Sequence, residues 1–202
     1  MTTPVLTAEE LRFGEVGLSL LRPAAADALI DEEAFAADEF MPYWAELWPA
    51  GLALAGALPA RLDGLRVVDL GAGLGVPGLV AAARGADVTA VDWAGDAVEL
   101  LVMNAVRNGL SLAAVHADWR SFGGSFDLVL AADLLYEARN VEALLALLPK
   151  LAPEVLLAEP GRPHAEAFFL AAERDWARNE IADRVYRLTR ATRGSPPAPP
   201  GA

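Results

Sequence analysis

The sequence predicts a doubly wound α/β sheet, mostly parallel and closed by an antiparallel strand pair at its C-terminal end. Three observations carry that expectation. Between residues 64 and 160, short apolar or β-branched runs alternate with longer Ala/Leu-rich segments. The short runs are apolar almost throughout, the pattern of strands covered by helices on both faces. Gly85 and Gly109 fall where helices in that rhythm have to stop. Strand, helix and strand in repetition gives parallel pairing through crossover connections.

Taken in order, FGEVGLSLLRP (13–23) predicts a strand or hairpin, and AAADALIDEEAFAADEF (24–40) an acidic helix. LWPAGLALAGALPA (47–60) reads as a helix started or kinked by Pro49 and stopped near Pro59. LRVVDL (65–70) is a strand, VPGLVAAARG (76–85) a helix, DVTAVD (87–92) a strand and AGDAVELLVMNAVRNG (94–109) a helix. AAVHAD (113–118) and FDLVLAAD (126–133) are strands, followed by the helix NVEALLALLPKL (140–151) and the strand EVLLAE (154–159). HAEAFFLAAERDWA (164–177) reads as a helix, and RNEIA (178–182) with RVYRLT (184–189) as the closing pair. The Pro/Gly-rich GSPPAPPGA (194–202) is expected to be a disordered tail. The organisation is therefore an N-terminal extension over 1–41, one domain over 42–193 and the tail over 194–202.

Composition excludes several chemistries. The 202 residues, 21.3 kDa, suffice for one domain with a substantial core. Cysteine is absent, so there is no disulfide framework, thiolate zinc site or cysteine nucleophile. His116 and His164 are the only imidazoles, and no dedicated metal centre is expected. The longest uncharged apolar-rich runs, Leu47 to Ala60 and Leu70 to Ala83, are 14 residues each. A membrane span needs roughly 20. MTTPVLTAEELR has neither the basic start nor the apolar stretch of a signal peptide, and the expectation is a soluble, cytoplasmic protein. The formal charge of −12 disfavours nucleic-acid binding, which draws on neutralised phosphates. Residues 1–60 hold ten carboxylates against Arg12 and Arg22, whereas Arg174 to Arg193 leans basic. The acidic half is either a solvated face or a field steering a cationic substrate or a basic protein patch.

The most informative stretch is VVDLGAGLGVPG, Val67 to Gly78. A strand runs into Gly71, Gly73 and Gly75, and a helix begins at Val76–Pro77. Glycines there let the chain turn sharply and approach a ligand, beside the free N–H groups of a helix N-terminus. Asp92 ends the next strand 21 residues after Gly71, where a carboxylate receives ribose hydroxyls. Gly73-x-Gly75-x-x-Gly78 also matches the dinucleotide fingerprint. Counting instead from Gly71, directly after the strand, leaves Val76 at the third glycine position. Asp69 sits badly beside a pyrophosphate and well beside a ligand carrying an ammonium.

The acid-x-Gly-x-Gly-x-Gly pattern from Asp69 to Gly75 resembles motif I of the Rossmann-like, seven-strand (class I) S-adenosylmethionine-dependent methyltransferases. Pro42-Tyr-Trp-Ala-Glu-Leu-Trp-Pro49 and Phe126-Asp-Leu-Val-Leu-Ala-Ala-Asp-Leu-Leu-Tyr136 narrow it. They resemble signatures of the non-histone protein-lysine methyltransferase family, with its acid-x-x-Tyr motif after the fourth strand of the domain. The resemblance covers residues 42 to 160. It implies S-adenosylmethionine as cofactor and a lysine-bearing protein, possibly through a basic patch, as partner.

On that resemblance Asp118 and Trp119 hold the adenine; the alternative for Asp118 is a loop cap. Asp133 accepts a hydrogen from the acceptor amine and orients it, and Tyr136 adds an oxygen contact or a wall; alternatively both serve local structure. Trp44 and Trp48, four apart, share a face if helical. Trp48 either lines the methionine end of the cofactor or packs in the core. Glu46 reads as solvent-facing or as a substrate contact. Arg162 and His164 follow the fifth strand, lining a substrate channel or making a rigid turn, and His116 packs in a strand. Three other readings compete: a small amine or pyridine acceptor of the nicotinamide type, a nucleotide-binding interaction protein without catalysis, and a nicotinamide oxidoreductase.

Overall fold

The computed structural model describes residues 5–25 and 42–191. The acidic segment 26–41 and the tail 194–202 lie outside the described residues. A hairpin comes first, β1 (Leu6–Phe13) and β2 (Val16–Pro23), paired antiparallel. Then follow α1 (Pro49–Ala57), β3 (Arg66–Leu70), α2 (Val76–Ala83), β4 (Asp87–Asp92), α3 (Gly95–Arg107) and β5 (Ala113–His116). The second half holds β6 (Leu128–Ala132), α4 (Ala138–Leu151), β7 (Glu154–Ala158), α5 (Ala165–Ala172), β8 (Trp176–Ala182) and β9 (Val185–Arg190).

The main sheet has seven strands in the order β5-β4-β3-β6-β7-β9-β8. The five from β5 to β7 are parallel, and β9 pairs antiparallel with both β7 and β8. Succession runs outward from β3 through β4 to β5, then returns to β6 on the other side. The order thus reverses between β3 and β6, and a crevice opens at the carboxyl ends of strands beside such a reversal. Leu54 of α1, Leu79 of α2 and Leu101 of α3 cover one face of the sheet. Leu144 and Leu148 of α4 and Phe168 of α5 cover the other. Double coverage is why Val67, Val68, Val129, Leu130, Val155 and Leu156 are all fully buried, odd and even positions alike.

Two elements differ from the sequence expectation. The hairpin starts at Leu6, well before residue 13, because LTAEELRF pairs as a strand although TAEEL is rich in helix formers. Tertiary pairing overrides that local preference. Leu18 and Leu20 enter the main core, and two asparagines of the α3 end fix β2 from outside. Asn104 accepts from the Leu21 N–H at 2.6 Å and donates to the Leu21 carbonyl at 3.0 Å; Asn108 does the same for Ser19 at 2.8 and 3.1 Å. Four backbone groups on the unpaired edge of β2 are thereby satisfied by side-chain amides. The helix expected over 164–177 stops at Ala172, and Trp176 is already the first residue of β8, buried at 3%.

Candidate active site

The cleft at the reversal point has a volume of about 510 Å³. Its floor is the loop after β3. Gly71, Gly73 and Gly75 all take positive φ, at 60°, 52° and 76°. At Gly75, the residue capping α2, a Cβ would lie 2.1 Å from Leu101 Cδ1, so packing and backbone both demand glycine. At Gly73 a Cβ would stand 3.2 Å from the Trp44 carbonyl oxygen, which shows how closely the 43–48 segment lies over the loop.

Asp69 lines this floor but is only 1% exposed. Its Oδ2 accepts the Gly78 N–H at 2.8 Å, so a strand carboxylate caps the third residue of α2. Burial pushes this carboxyl up to about 7, a rise opposed by the Gly78 bond and assisted by the charge of Asp92. Between the ordinary carboxyl value near 4 and about 7, the folded chain holds a proton that the unfolded chain has released. Stability therefore falls as pH rises through that window, by up to about 1.4 kcal/mol per pH unit, and levels off above it. Asp69→Asn keeps an acceptor for Gly78 and removes the titration. Its urea midpoint is expected to be flatter than wild type between pH 4.5 and 7.5. Parallel curves for the two proteins would contradict a neutral Asp69.

Asp92 is 4% exposed and spans two turns, with Oδ2 accepting from the Gly73 N–H at 2.7 Å and Oδ1 from the Ala94 N–H at 2.9 Å. Burial raises its carboxyl above the ordinary range, against these bonds and the neighbouring His116. It is thus a keystone of the loop as well as a group lining the cleft. Trp119, 2% exposed, lines the same wall, and its indole lies 3.7 Å from the position of a Cβ on Gly71.

Asp118 does not join it. Its Oδ1 accepts from the Arg120 backbone at 2.9 Å and side chain at 3.2 Å, capping the short 3-10 turn over Trp119–Ser121. Its Oδ1 thus serves as a loop cap. His116 is exposed at the end of β5, its Nε2 2.7 Å from the Trp93 carbonyl, rather than packed.

Across the floor, β6 delivers Asp133 with φ 56°, in the left-handed region, and its N–H bonded to the Ala158 carbonyl at 2.9 Å. Asn140, fully buried at the start of α4, donates to the Leu134 carbonyl at 2.7 Å and fixes the stretch that follows. Tyr136 lines the cleft 37% exposed, and burial together with Glu137 holds its phenol above the usual range. It stays protonated at neutral pH. Arg162 also lines the cleft; His164 does not, and instead precedes α5 at its N-cap.

The Trp segment is not helical throughout. Tyr43–Ala45 makes one 3-10 turn, and Trp48 is the extended residue before α1, so Trp44 and Trp48 share no helix face. Pro49 at the first helical position breaks the register. Trp48 donates its indole N–H to the Tyr43 carbonyl at 2.8 Å, and the two rings meet at 6.1 Å. Tyr43 in turn lies 6.4 Å from Tyr136, so three aromatic rings line one end of the cleft beside the exposed Glu46. Sequence reasoning missed Tyr43 and Trp93; the latter, 47% exposed beside Asp92, had only an aromatic after an acidic strand end as its signal.

A family model described as lysine methyltransferase matches residues 42–175. The electron transfer flavoprotein beta subunit lysine methyltransferase of Mus musculus is 33% identical over 132 residues, 60% of this chain and 52% of that protein. Protein N-lysine methyltransferase METTL21A of Danio rerio is 36% identical over 121 residues, 53% of this chain and 55% of the relative. A 23S rRNA (uracil-C(5))-methyltransferase of Halomonas elongata is 38% identical over 114 residues, 56% of this chain but 20% of that enzyme. The chain spans about half the length of the lysine methyltransferases it matches. Among solved structures, a T. thermophilus 16S rRNA methyltransferase with AdoMet and guanosine superposes with a TM-score of 0.64 at 21% identity, covering 94% of this chain and 52% of that one. That likeness concerns the fold. With a motif-bearing cleft at the sheet reversal and a family match over most of the described domain, the chain belongs to the lysine methyltransferase family of S-adenosylmethionine-dependent methyltransferases.

Proposed function

We infer that this chain transfers the methyl group of S-adenosylmethionine to the side-chain amine of a lysine on a protein. One observation carries the reading: Asp133 and Tyr136 face the same cleft as the glycine loop, at its aromatic-lined end. The residues fit the cofactor. The cleft has the size of a small-ligand pocket, and its lining carboxylates Glu46, Asp92 and Glu137 suit a ligand carrying cationic groups. When bound, the cofactor supplies an electrophilic methyl carbon on a sulfonium.

The chain supplies position and shelter. Gly71, Gly73 and Gly75 give the backbone close approach, Asp92 receives ribose hydroxyls, Trp119 packs the adenine, and Asp69 and Trp48 serve the methionine end. Asp133 accepts a hydrogen of the acceptor amine and aims its lone pair, with Tyr136 as a wall and oxygen contact. A protein acceptor is supported by the exposed rim of Tyr43, Tyr136 and Glu46 and by the relatives named above. A cytoplasmic site of action belongs to the same reading; among the described residues no helix is long and apolar enough to cross a membrane.

The test is transfer of labelled methyl from S-adenosylmethionine into an extract of the source organism, separated into protein and small-molecule fractions. Label in a protein band that releases methyl-lysine on hydrolysis is the expected result. Label confined to small amines would replace it with the nicotinamide-type reading, and label in neither fraction would leave a fold without this activity.

A further inference from the structure

Asp133 does not face the cleft as a lone carboxylate. Its Oδ1 accepts from Arg162 Nε and its Oδ2 from Arg162 Nη2, both at 2.7 Å, a two-point fork. The Asp133 side chain is 9% exposed and that of Arg162 35%. Arg162 is itself held from two further directions. Glu159, only 3% exposed, clasps the turn by accepting from the Gly161 and Arg162 backbone N–H groups, each at 2.7 Å. The guanidinium lies over the Trp48 ring, 5.7 Å from its centroid. The carboxyl end of β6, the turn after β7 and the segment before α1 therefore meet at one cation.

The fork uses one lone pair of each carboxylate oxygen and leaves each a second. Asp133 can still accept a hydrogen from an incoming amine, but its charge is already balanced. An ammonium reaching it meets a fixed cation; a neutral amine meets an acceptor without that repulsion. The neutral amine alone has the lone pair that methyl transfer requires.

We propose that Arg162 is a positioning residue of the acceptor site, holding Asp133 in a two-point fork and cancelling its charge so that the site selects the neutral amine over the ammonium. This rests on the reading of Asp133 as the acceptor-side carboxylate. The other titratable groups around the pair come from every neighbouring element. Glu159 and Tyr43 act directly on Arg162. Glu46, Tyr136, Glu137 and Asp92 line the cleft around them, and Arg120 reaches Tyr136 from its place over the Trp119 ring. From just ahead of β9, the Arg184 guanidinium stands against Gly161, but Arg162 is the one cationic side chain among the described residues lining the cleft. Arg162 is a permanent cation, and the Asp133 fork is the largest influence stabilising that charge.

The experiment titrates n-butylamine, a lysine side-chain analogue, into the labelled protein saturated with S-adenosylhomocysteine, following the Trp48 indole N–H by NMR from pH 7 to 9. Wild-type affinity is expected to rise about tenfold per pH unit, tracking the neutral fraction of an amine that titrates near 10.4. Arg162→Gln is expected to bind at least tenfold tighter at pH 7, with that dependence flattened, because the bare carboxylate then favours the ammonium. Arg162→Lys, keeping the charge without the fork, should restore the wild-type slope. Wild-type affinity and slope in Arg162→Gln, or no binding to it while it still binds S-adenosylhomocysteine by calorimetry, would overturn the proposal. Asp133→Asn separates the two ideas. If it leaves wild-type amine binding unchanged, the acceptor-site reading falls and this inference with it. If it weakens that binding while Arg162→Gln behaves as wild type, only the role of Arg162 falls.

Discussion

Asp133→Asn is expected to lower kcat by about 10²- to 10³-fold, the scale of losing one preorganised hydrogen-bonding group at a reacting centre, while S-adenosylmethionine affinity stays close to wild type. Asparagine is the informative substitution, and alanine is not. Asp133 has a φ of 56°, where asparagine is at ease and alanine strained by about 1–2 kcal/mol. Alanine would also strand the Arg162 guanidinium, which has both fork bonds on this carboxylate. Loss of turnover in Asp133→Ala would thus mix a disturbed acceptor end with lost chemistry. Asparagine keeps the backbone and one acceptor oxygen, and removes the charge and the second oxygen. Single-turnover rates measured beside calorimetric cofactor affinity and the urea midpoint separate the contributions. Near wild-type turnover in Asp133→Asn would move the acceptor site elsewhere.

What the sequence disclosed follows from the range of the interactions involved. The alternation through residues 64–160 and the glycine loop are local patterns, and the seven-strand order and loop geometry agree with them. Asp92 and Asp133 were readable because strand ends at the carboxyl edge carry the cleft in any such sheet. Their partners were not. The Gly73 and Ala94 N–H groups that make Asp92 part of the loop, and the Arg162 fork 29 residues from Asp133, depend on how separate segments meet. The same holds for Asn104 and Asn108, whose side chains grip a hairpin more than 80 residues away. The local bond of Asp118 Oδ1 to Arg120, two residues on, was equally out of sight, because the motif names the carboxylate and not its neighbours. The four-residue spacing of Trp44 and Trp48 puts them on one face only if the segment is helical, and Pro49, which starts the helix, leaves Trp48 extended.

Asp92→Ala is expected to weaken S-adenosylmethionine binding about 100-fold, the loss of two hydrogen bonds to a charged group. The same change leaves the Gly73 and Ala94 N–H groups without their acceptor, so the unliganded protein should also lose about 2–3 kcal/mol of stability. A weaker Kd alone therefore cannot distinguish a ribose contact from a collapsed glycine loop. A second ligand can: a cofactor analogue lacking the ribose 2′- and 3′-hydroxyls. If Asp92 holds those hydroxyls, wild type should prefer the cofactor over the analogue by about 100-fold and Asp92→Ala should scarcely discriminate, the coupling that a double-mutant cycle isolates. If Asp92 only braces Gly73, the variant should bind both ligands more weakly by the same factor and keep the full preference. Calorimetry at a temperature where circular dichroism shows the variant folded makes the comparison. Retained discrimination would reassign the ribose to another cleft group and leave Asp92 as a brace of the loop.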